Sequence, residues 1–188
     1  MFNISKQFDD YGMYLKDCIS QEDIDFIVSV SKDTSLPTGK QRAVSYVEVS
    51  NNGTIKQIET FNKIHPVIKK AMEVYAKHFN INIEKYTIKE GYFLKTWDIG
   101  IGMGPHSDTW EPKDGEPVPS ITIVLYLSSD YDGGEFVFAN GYIEDKRANK
   151  ISIKPEAGDI LVFKSGISHW VEPVTRGTRI VTDNFYLK

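Results

Sequence analysis

The sequence predicts a mostly β protein of the α+β class, a jelly roll of short strands supported by N-terminal helices. Three observations predict it. Apolar residues recur at helical spacing in two stretches before about residue 85. From about residue 86 onward, short runs of β-type residues follow one another, and turn residues punctuate those runs at regular intervals. With 188 residues, 40% hydrophobic and 26% charged, the chain suits one globular domain, residues 1–188, with helical support over about 1–85 and a β core over about 86–188.

The helices come first. Ser20 followed three residues later by Asp23 resembles a capping box, and Ile24, Ile27 and Val28 continue at helical spacing. A second helix is predicted from Pro66, a residue suited to a first turn, to Phe79. Its stripe of Val67, Ile68, Ala71, Met72, Tyr75 and Phe79 reads as core packing. Between the helices, Ala43 to Val49 alternates, and Asn51-Asn52-Gly53 is a turn signal, which together predict a hairpin.

Strands are then expected at Tyr92–Trp97, Ile121–Leu127, Glu135–Phe138, Ile151–Ile153, Ile160–Phe163, His169–Val174 and Arg179–Tyr186. The turns between them fall at Gly100–Gly104, Asp132-Gly133-Gly134, Asn140-Gly141, Ala157-Gly158-Asp159 and Arg176-Gly177. So many short strands indicate a sandwich or barrel.

Composition narrows the function. A net charge of −4 argues against a nucleic-acid partner. The one cysteine, Cys18, permits neither an internal disulfide nor a Cys-rich zinc site, and reads as a small buried hydrophobe. Met1 to Asp10 holds no apolar stretch of signal-peptide length, and the longest apolar segment, Ile121 to Leu127, is too short to span a bilayer. The expectation is a cytoplasmic protein with no membrane partner; oligomeric state is left open.

The chemistry starts at His106-Ser107-Asp108, just after the Gly-rich loop Gly100–Gly104. Residues two apart on a strand share a face, so an imidazole and a carboxylate can converge there. On that pair alone, a surface turn is the simpler reading. His169 supplies a second imidazole at the start of a late strand. Two His and one carboxylate with open positions suit non-haem Fe(II). A lone histidine is more often a satisfied core residue, and His65 and His78 keep that reading. Arg179 lies ten residues after His169. If Arg176-Gly177 turns a hairpin, His169 and Arg179 share a sheet and face one cavity. A buried guanidinium needs a carboxylate partner, which a ligand could supply; the plain alternative is a surface Arg on an edge strand.

The order and spacing of several motifs carry a resemblance. These are Gly102-Met103-Gly104-Pro105-His106-Ser107-Asp108, Ile123-Val124-Leu125-Tyr126-Leu127 with Gly133-Gly134-Glu135, Pro155 through Gly158-Asp159 to Phe163, and His169 through Arg176-Gly177-Thr178-Arg179. From about Tyr92 to Tyr186 the chain resembles the catalytic domain of the 2-oxoglutarate/Fe(II)-dependent dioxygenases, specifically the prolyl 4-hydroxylase-like group. The resemblance implies a double-stranded β-helix with His106, Asp108 and His169 as iron ligands. It implies that Arg179 binds the far carboxylate of 2-oxoglutarate and that Tyr126 assists; strand parity agrees, since Thr122, Val124 and Tyr126 share a face. Fe(II), 2-oxoglutarate and O2 are the implied cofactor and cosubstrates, with ascorbate as an accessory reductant.

The resemblance also sorts the branches. Halogenating members lack the acidic ligand, and Asp108 is present here. In the nucleic-acid demethylase branch the carboxylate-binding Arg lies further from the second histidine. Prolyl 4-hydroxylases usually have Tyr nine and three residues before the first histidine, where this chain has Trp97 and Met103. Trp97 can donate one N–H to the cosubstrate and Met103 none. Phe136 follows Gly-Gly-Glu where the family often has Thr. The implied activity is hydroxylation of an unactivated C–H bond, with a prolyl residue of a peptide or protein as the best single substrate. A free amino acid or small metabolite is the second reading, and a cupin-like metal-binding module without turnover the third.

Alternation adds further expectations. If Arg179 points inward, so do Val181, Asp183 and Phe185. An inward Asp183 is expected to pair with Arg179 or to hydrogen-bond into the cosubstrate pocket, against the plain alternative of a register break. Thr109 to Pro119 is a candidate lid and Leu36 to Arg42 a second loop candidate. Trp110 and Trp170 flank the metal residues, as groove lining or as core aromatics.

Overall fold

A computed structural model describes residues 2–32, 42–46, 55–89, 91–112, 115–140 and 149–188. In chain order the elements are β1 (Asn3–Phe8), β2 (Gly12–Lys16), α1 (Gln21–Lys32), β3 (Arg42–Tyr46), α2 (Ile55–His78), β4 (Thr87–Ile88), β5 (Phe93–Trp97), β6 (Met103–His106), β7 (Pro119–Tyr126), β8 (Tyr131–Gly133), β9 (Phe136–Asn140), β10 (Asn149–Ile153), β11 (Ile160–Lys164), β12 (His169–Val171), β13 (Val174–Gly177) and β14 (Arg179–Leu187). Among these residues no helix is long and apolar enough to cross a membrane.

Two sheets face each other, as a jelly roll requires. The larger runs β1-β2-β11-β7-β14-β5-β3, with β4 on the end of β14; the smaller runs β10-β9-β12-β6. A separate ribbon pairs β13 with β8. All described pairings are antiparallel.

The central strands of the larger sheet, β7, β11 and β14, are largely buried on both faces, which is why β7 and β11 read as nearly continuous apolar runs. On β7, Ile121, Ile123 and Leu125 join the core beneath the helices, with Ile27, Ile64, Ile68, Met72 and Tyr75. Val124 and Tyr126 turn the other way, into the core between the sheets, with Trp97, Phe136, Phe138, Phe163, Val171 and Val181. The period of two thus separates a supporting core from a cavity-bearing one.

α1 begins as its capping signal predicts: Ser20 Oγ accepts from Asp23 N–H at 3.2 Å and donates to the Asp23 carboxylate at 2.9 Å. α2 departs from expectation. It starts eleven residues before Pro66 and carries that proline inside. Burial explains the override. Thr60 and Ile64 lie fully buried ahead of the proline, and Phe61 stacks on His65 at 4.7 Å and packs against Tyr92. Lys63 also pairs with Asp23 of α1 at 2.5 Å.

Three other expectations need correction. Residues 3–16 are not helical: β1 and β2 form a hairpin that extends the larger sheet through β11, turning at Asp9, whose φ is 41°. The Ala43 strand pairs with β5, and from Ile55 the described chain is helix rather than the second arm of a hairpin; residues 47–54, including Asn51-Asn52-Gly53, lie outside the described residues. His169 and Arg179 do not share a sheet. Arg176-Gly177 ends β13, which pairs with β8, and the chain then crosses to the larger sheet. The candidate loop at Leu36 lies outside the described residues as far as position 41. Cys18 is buried as expected, and burial pushes its thiol up to about 12, leaving it unreactive.

Candidate active site

His106 ends β6 and His169 opens β12, and the two are register partners across the smaller sheet. Their ring centroids stand 4.3 Å apart. Asp108 reaches the same point: its Oδ1 lies 3.5 Å from His106 Nε2 and its Oδ2 lies 3.5 Å from His169 Nε2. One ligand atom from each of the three residues falls within 4.8 Å of the others.

The surroundings fix which atoms face inward. His106 Nδ1 is 2.9 Å from the Gly104 carbonyl and His169 Nδ1 is 2.9 Å from the Ile167 carbonyl. A carbonyl only accepts, so both Nδ1 atoms carry the proton and each Nε2 presents a lone pair. Thr122 on β7 donates to Asp108 Oδ2 at 2.8 Å. Phe136 stacks on His169 at 5.0 Å and 14°, and Phe163 meets the ring edge-on at 5.0 Å.

The electrostatics follow from burial and pairing. The hydrogen bond to Asp108 raises the His106 pKa above the usual 6.5. Burial lowers that of His169. Burial pushes Asp108 up, but His106, the charge of His169 and the Thr122 hydroxyl outweigh it and hold the carboxyl below its ordinary value. Two imidazoles and a carboxylate, with space beside them, are a donor set that fits Fe(II).

The same cavity is lined among others by Lys95, Trp97, Thr122, Arg179 and Asp183. Arg179 opens β14 opposite Trp97 and is 1% exposed. Its guanidinium lies between the rings of Trp97 (5.0 Å) and Tyr126 (5.1 Å), and its Nη2 donates to the Tyr126 hydroxyl at 3.3 Å. Arg179 Nε and Nη1 and Trp97 Nε1 are buried without a hydrogen-bond partner among the described residues. Unmade hydrogen bonds of this kind are costly, and a carboxylate satisfies several donors at once. This end of the cavity therefore fits the carboxylate of a dicarboxylic cosubstrate.

The geometry brings together His106, Asp108 and His169 at one end, and Arg179, Trp97 and Tyr126 at the other. Tyr126 acts from behind, contacting Arg179 rather than lining the cavity. Asp183 does face inward, but its expected pairing with Arg179 does not occur. Lys95 intervenes: its Nζ lies 2.7 Å from Asp183 Oδ2. Trp170 does not line the groove. It alternates away from His169, donates to Glu172 at 2.8 Å and lies under Lys150. Trp110 is exposed and outside the lining, and the candidate lid is pinned at Val118, which exchanges backbone hydrogen bonds with Lys188. Residues 113 and 114 of that lid lie outside the described residues.

Sequence reasoning missed Thr122, Phe163 and Lys95 as parts of the site. Lys95 was within reach, because it sits two residues from Trp97 on the same strand face. Thr122 was placed on the inward face, but nothing in one sequence tied it to Asp108.

A jelly roll that holds two imidazoles and a carboxylate at one mouth, with a buried guanidinium deeper in, defines the class of non-haem metal oxygenases. Comparison with known proteins carries this further. The sequence model of the 2OG-Fe(II) oxygenase superfamily matches residues 93–187. The chain belongs to that superfamily.

The chain is 35% identical over 92 residues to a PKHD-type hydroxylase of Beijerinckia indica, covering 46% of this chain and 38% of that protein. It is 35% identical over 75 residues to mouse prolyl 3-hydroxylase 2, covering 39% of this chain and 10% of that protein. The chain thus spans less than half the length of these curated relatives. In fold it is similar to a viral collagen prolyl hydroxylase from Paramecium Bursaria Chlorella virus-1, with a TM-score of 0.67, 16% identity, and 94% and 95% of the two chains covered. It is also similar to a Pseudomonas putida prolyl-4-hydroxylase, with a TM-score of 0.65, 13% identity, and coverage of 94% and 92%.

Proposed function

We propose that this protein is an Fe(II)- and 2-oxoglutarate-dependent dioxygenase that hydroxylates an unactivated C–H bond. His106, Asp108 and His169 hold the metal, and Arg179 with Trp97 holds the far carboxylate of the cosubstrate. The observation that carries the reading is Arg179, fully buried, with two of its nitrogens unpartnered among the described residues, in the same cavity as the His-Asp-His cluster. A metal-binding module without turnover has no use for such a clamp.

Bound Fe(II), with O2 and 2-oxoglutarate, supplies the oxidising chemistry, releasing succinate and CO2 as one oxygen atom enters the substrate. The protein's part is placement. The carbonyls of Gly104 and Ile167 hold each imidazole in the Nδ1–H tautomer, with Nε2 aimed inward. Thr122 sets the angle of the Asp108 carboxylate. Arg179, wedged between two aromatic rings, fixes one end of the cosubstrate before reaction and so limits its orientations. Phe136, Val124 and Val171 form apolar wall that keeps water from the reacting end.

For the substrate, the names of the relatives favour a prolyl residue in a peptide or protein.

Anaerobic titration of the Fe(II)-loaded protein with 2-oxoglutarate tests the reading. A saturable visible charge-transfer band is expected in the native protein and not in His169→Ala. With iron shown to be bound and the protein folded, no band in the native protein would overturn the dioxygenase reading in favour of a metal-binding module.

A further inference from the structure

Among the described residues the cavity contains four side-chain atoms without a hydrogen-bond partner, and they are of two kinds. Arg179 Nε, Arg179 Nη1 and Trp97 Nε1 are donors. Asp183 Oδ1 is an acceptor, buried and without a partner, while its Oδ2 takes the hydrogen bond from Lys95. A 2-oxoglutarate dianion offers only acceptors, so it satisfies the three donors and cannot satisfy Asp183. The unpaired acceptor calls for a donor from a different molecule, since a buried polar group left unmade is costly.

Position supports a separate role for this pair. Arg179 pairs with Trp97 across β14 and β5, and Val181 pairs with Lys95, so Lys95 lies one inward row from the clamp on the β5 side. Asp183 is one further row along β14, opposite Val124 of β7. The Thr122 row, which anchors Asp108, comes next. Lys95 and Asp183 thus lie along the cavity wall between the clamp and the metal-binding end. Lys95 is also the more accessible partner: its side chain is 25% exposed against 11% for Asp183. An ammonium carries three N–H groups, and Asp183 takes one, which leaves Lys95 with donors for a second partner.

Charge balance narrows the ligand. Arg179 and Lys95 offset Asp108 and Asp183, and a divalent metal offsets a cosubstrate dianion. The filled cavity therefore has no net charge to offer, and a ligand with an excess charge is disfavoured in it. A group that is neutral overall, but presents one donor and one acceptor close together, completes both side chains.

We propose, resting on the dioxygenase reading, that Lys95 and Asp183 recognise the primary substrate through an adjacent N–H donor and oxygen acceptor. The donor goes to Asp183 Oδ1 and the acceptor to Lys95 Nζ. An α-amino acid zwitterion presents this pair as ammonium and carboxylate; a peptide backbone presents it as amide N–H and carbonyl. A prolyl nitrogen inside a peptide carries no hydrogen, so in the peptide case the donor comes from a neighbouring residue.

The test uses the full chain loaded with Fe(II) and 2-oxoglutarate without oxygen. Two ligand panels are titrated by calorimetry: the free L-amino acids, and their N-acetyl N′-methylamides. Native protein, Asp183→Asn and the exchanged pair Lys95→Asp/Asp183→Lys are compared. A ligand that binds native protein is expected to lose about tenfold or more in affinity in Asp183→Asn, as for a hydrogen bond to a charged group. The cosubstrate band should meanwhile titrate within about threefold of native. The exchanged pair keeps an ion pair between the strands, so a merely structural role predicts native affinity there, and recognition predicts the loss. Binding confined to the first panel identifies a zwitterion, and binding in the second a peptide backbone. Ligands bound equally by all three proteins, or no binding in either panel, would overturn the proposal. A native cosubstrate band alongside either result leaves the dioxygenase reading intact, so the two failures are distinguishable.

Discussion

The Thr122 hydroxyl gives its one hydrogen to Asp108 Oδ2 at 2.8 Å and lies 2.9 Å from Ser165 Oγ, which must therefore donate to it. This relay ties the acidic member of the candidate metal site to the central strand β7 and to the end of β11. The Ser165 carbonyl also accepts from the Asp108 backbone N–H at 2.9 Å, so residue and side chain are held from the same place.

Thr122→Val keeps the shape and deletes the relay. Iron affinity is expected to fall about tenfold or more, as for other partners that orient metal ligands. Fe(II) binding isotherms of the two proteins, with circular dichroism to confirm the fold, check this. Unchanged affinity would mean that Asp108 is positioned by its backbone alone.

Iron affinity should fall with acidity, and His106 sets where. Its pKa lies above 6.5 because Asp108 binds the protonated form, so the metal must displace a proton at a pH where an ordinary histidine is already neutral. Burial keeps His169 neutral to lower pH. Affinity should therefore begin to drop above pH 6.5 and approach about one decade per pH unit as His106 protonates, with a second loss at lower pH from His169. Isotherms between about pH 8 and about pH 6 would show it; a flat profile would place the first proton elsewhere.

Arg179→Met should separate stability from function. It replaces a buried cation by an apolar side chain of similar length between two aromatic rings. Cosubstrate binding should weaken by about a hundredfold, the loss of charge-assisted hydrogen bonds worth about 3 kcal/mol. The ligand-free protein should melt at the same temperature or higher, because the uncompensated buried charge is gone. Calorimetric melting of both proteins with and without 2-oxoglutarate reads both effects; a large drop in ligand-free stability would show that Arg179 is a structural residue.

Gly134→Ala tests the Gly-Gly turn before β9. Gly134 has a φ of +65°, and an added methyl would meet Arg179 Cδ at 3.1 Å and Tyr131 Cε2 at 3.1 Å. Backbone strain and displacement of the clamp act together. A loss of about 1–3 kcal/mol in stability is expected from the strained backbone, accompanied by weaker 2-oxoglutarate binding. Denaturant melts and the visible-band titration check the two separately.

The β core was readable in the sequence because alternation and turn residues are local signals, and the His106-Asp108-His169 cluster because the order of its motifs carries a family resemblance. Strand alternation placed Thr122, Val124 and Tyr126 on one face and Arg179, Val181 and Asp183 on another, and the structure keeps both assignments in its two cores and its cavity. What escaped was set by partners remote in sequence. The β1–β2 hairpin is made stable by β11, about 150 residues later in the chain. α2 runs through Pro66 because its first turns find Tyr92 and Asp23. Asp183 chose Lys95 over Arg179 because β5 lies beside β14, a pairing that residue order alone does not dictate.

The two-sided burial of the central strands has a practical consequence for altering this protein. On β7 the even positions, Thr122, Val124 and Tyr126, answer to the chemistry, and the odd ones, Ile121, Ile123 and Leu125, to the helices behind. On β14 the parity reverses: Arg179, Val181 and Asp183 look into the cavity, while Ile180 and Tyr186 pack beneath the helices. A library that varies Val124, Val181, Asp183 and Lys95 would therefore reshape what the cavity accepts and leave the foundations alone. Selectivity and solidity are written on alternate letters of the same two words.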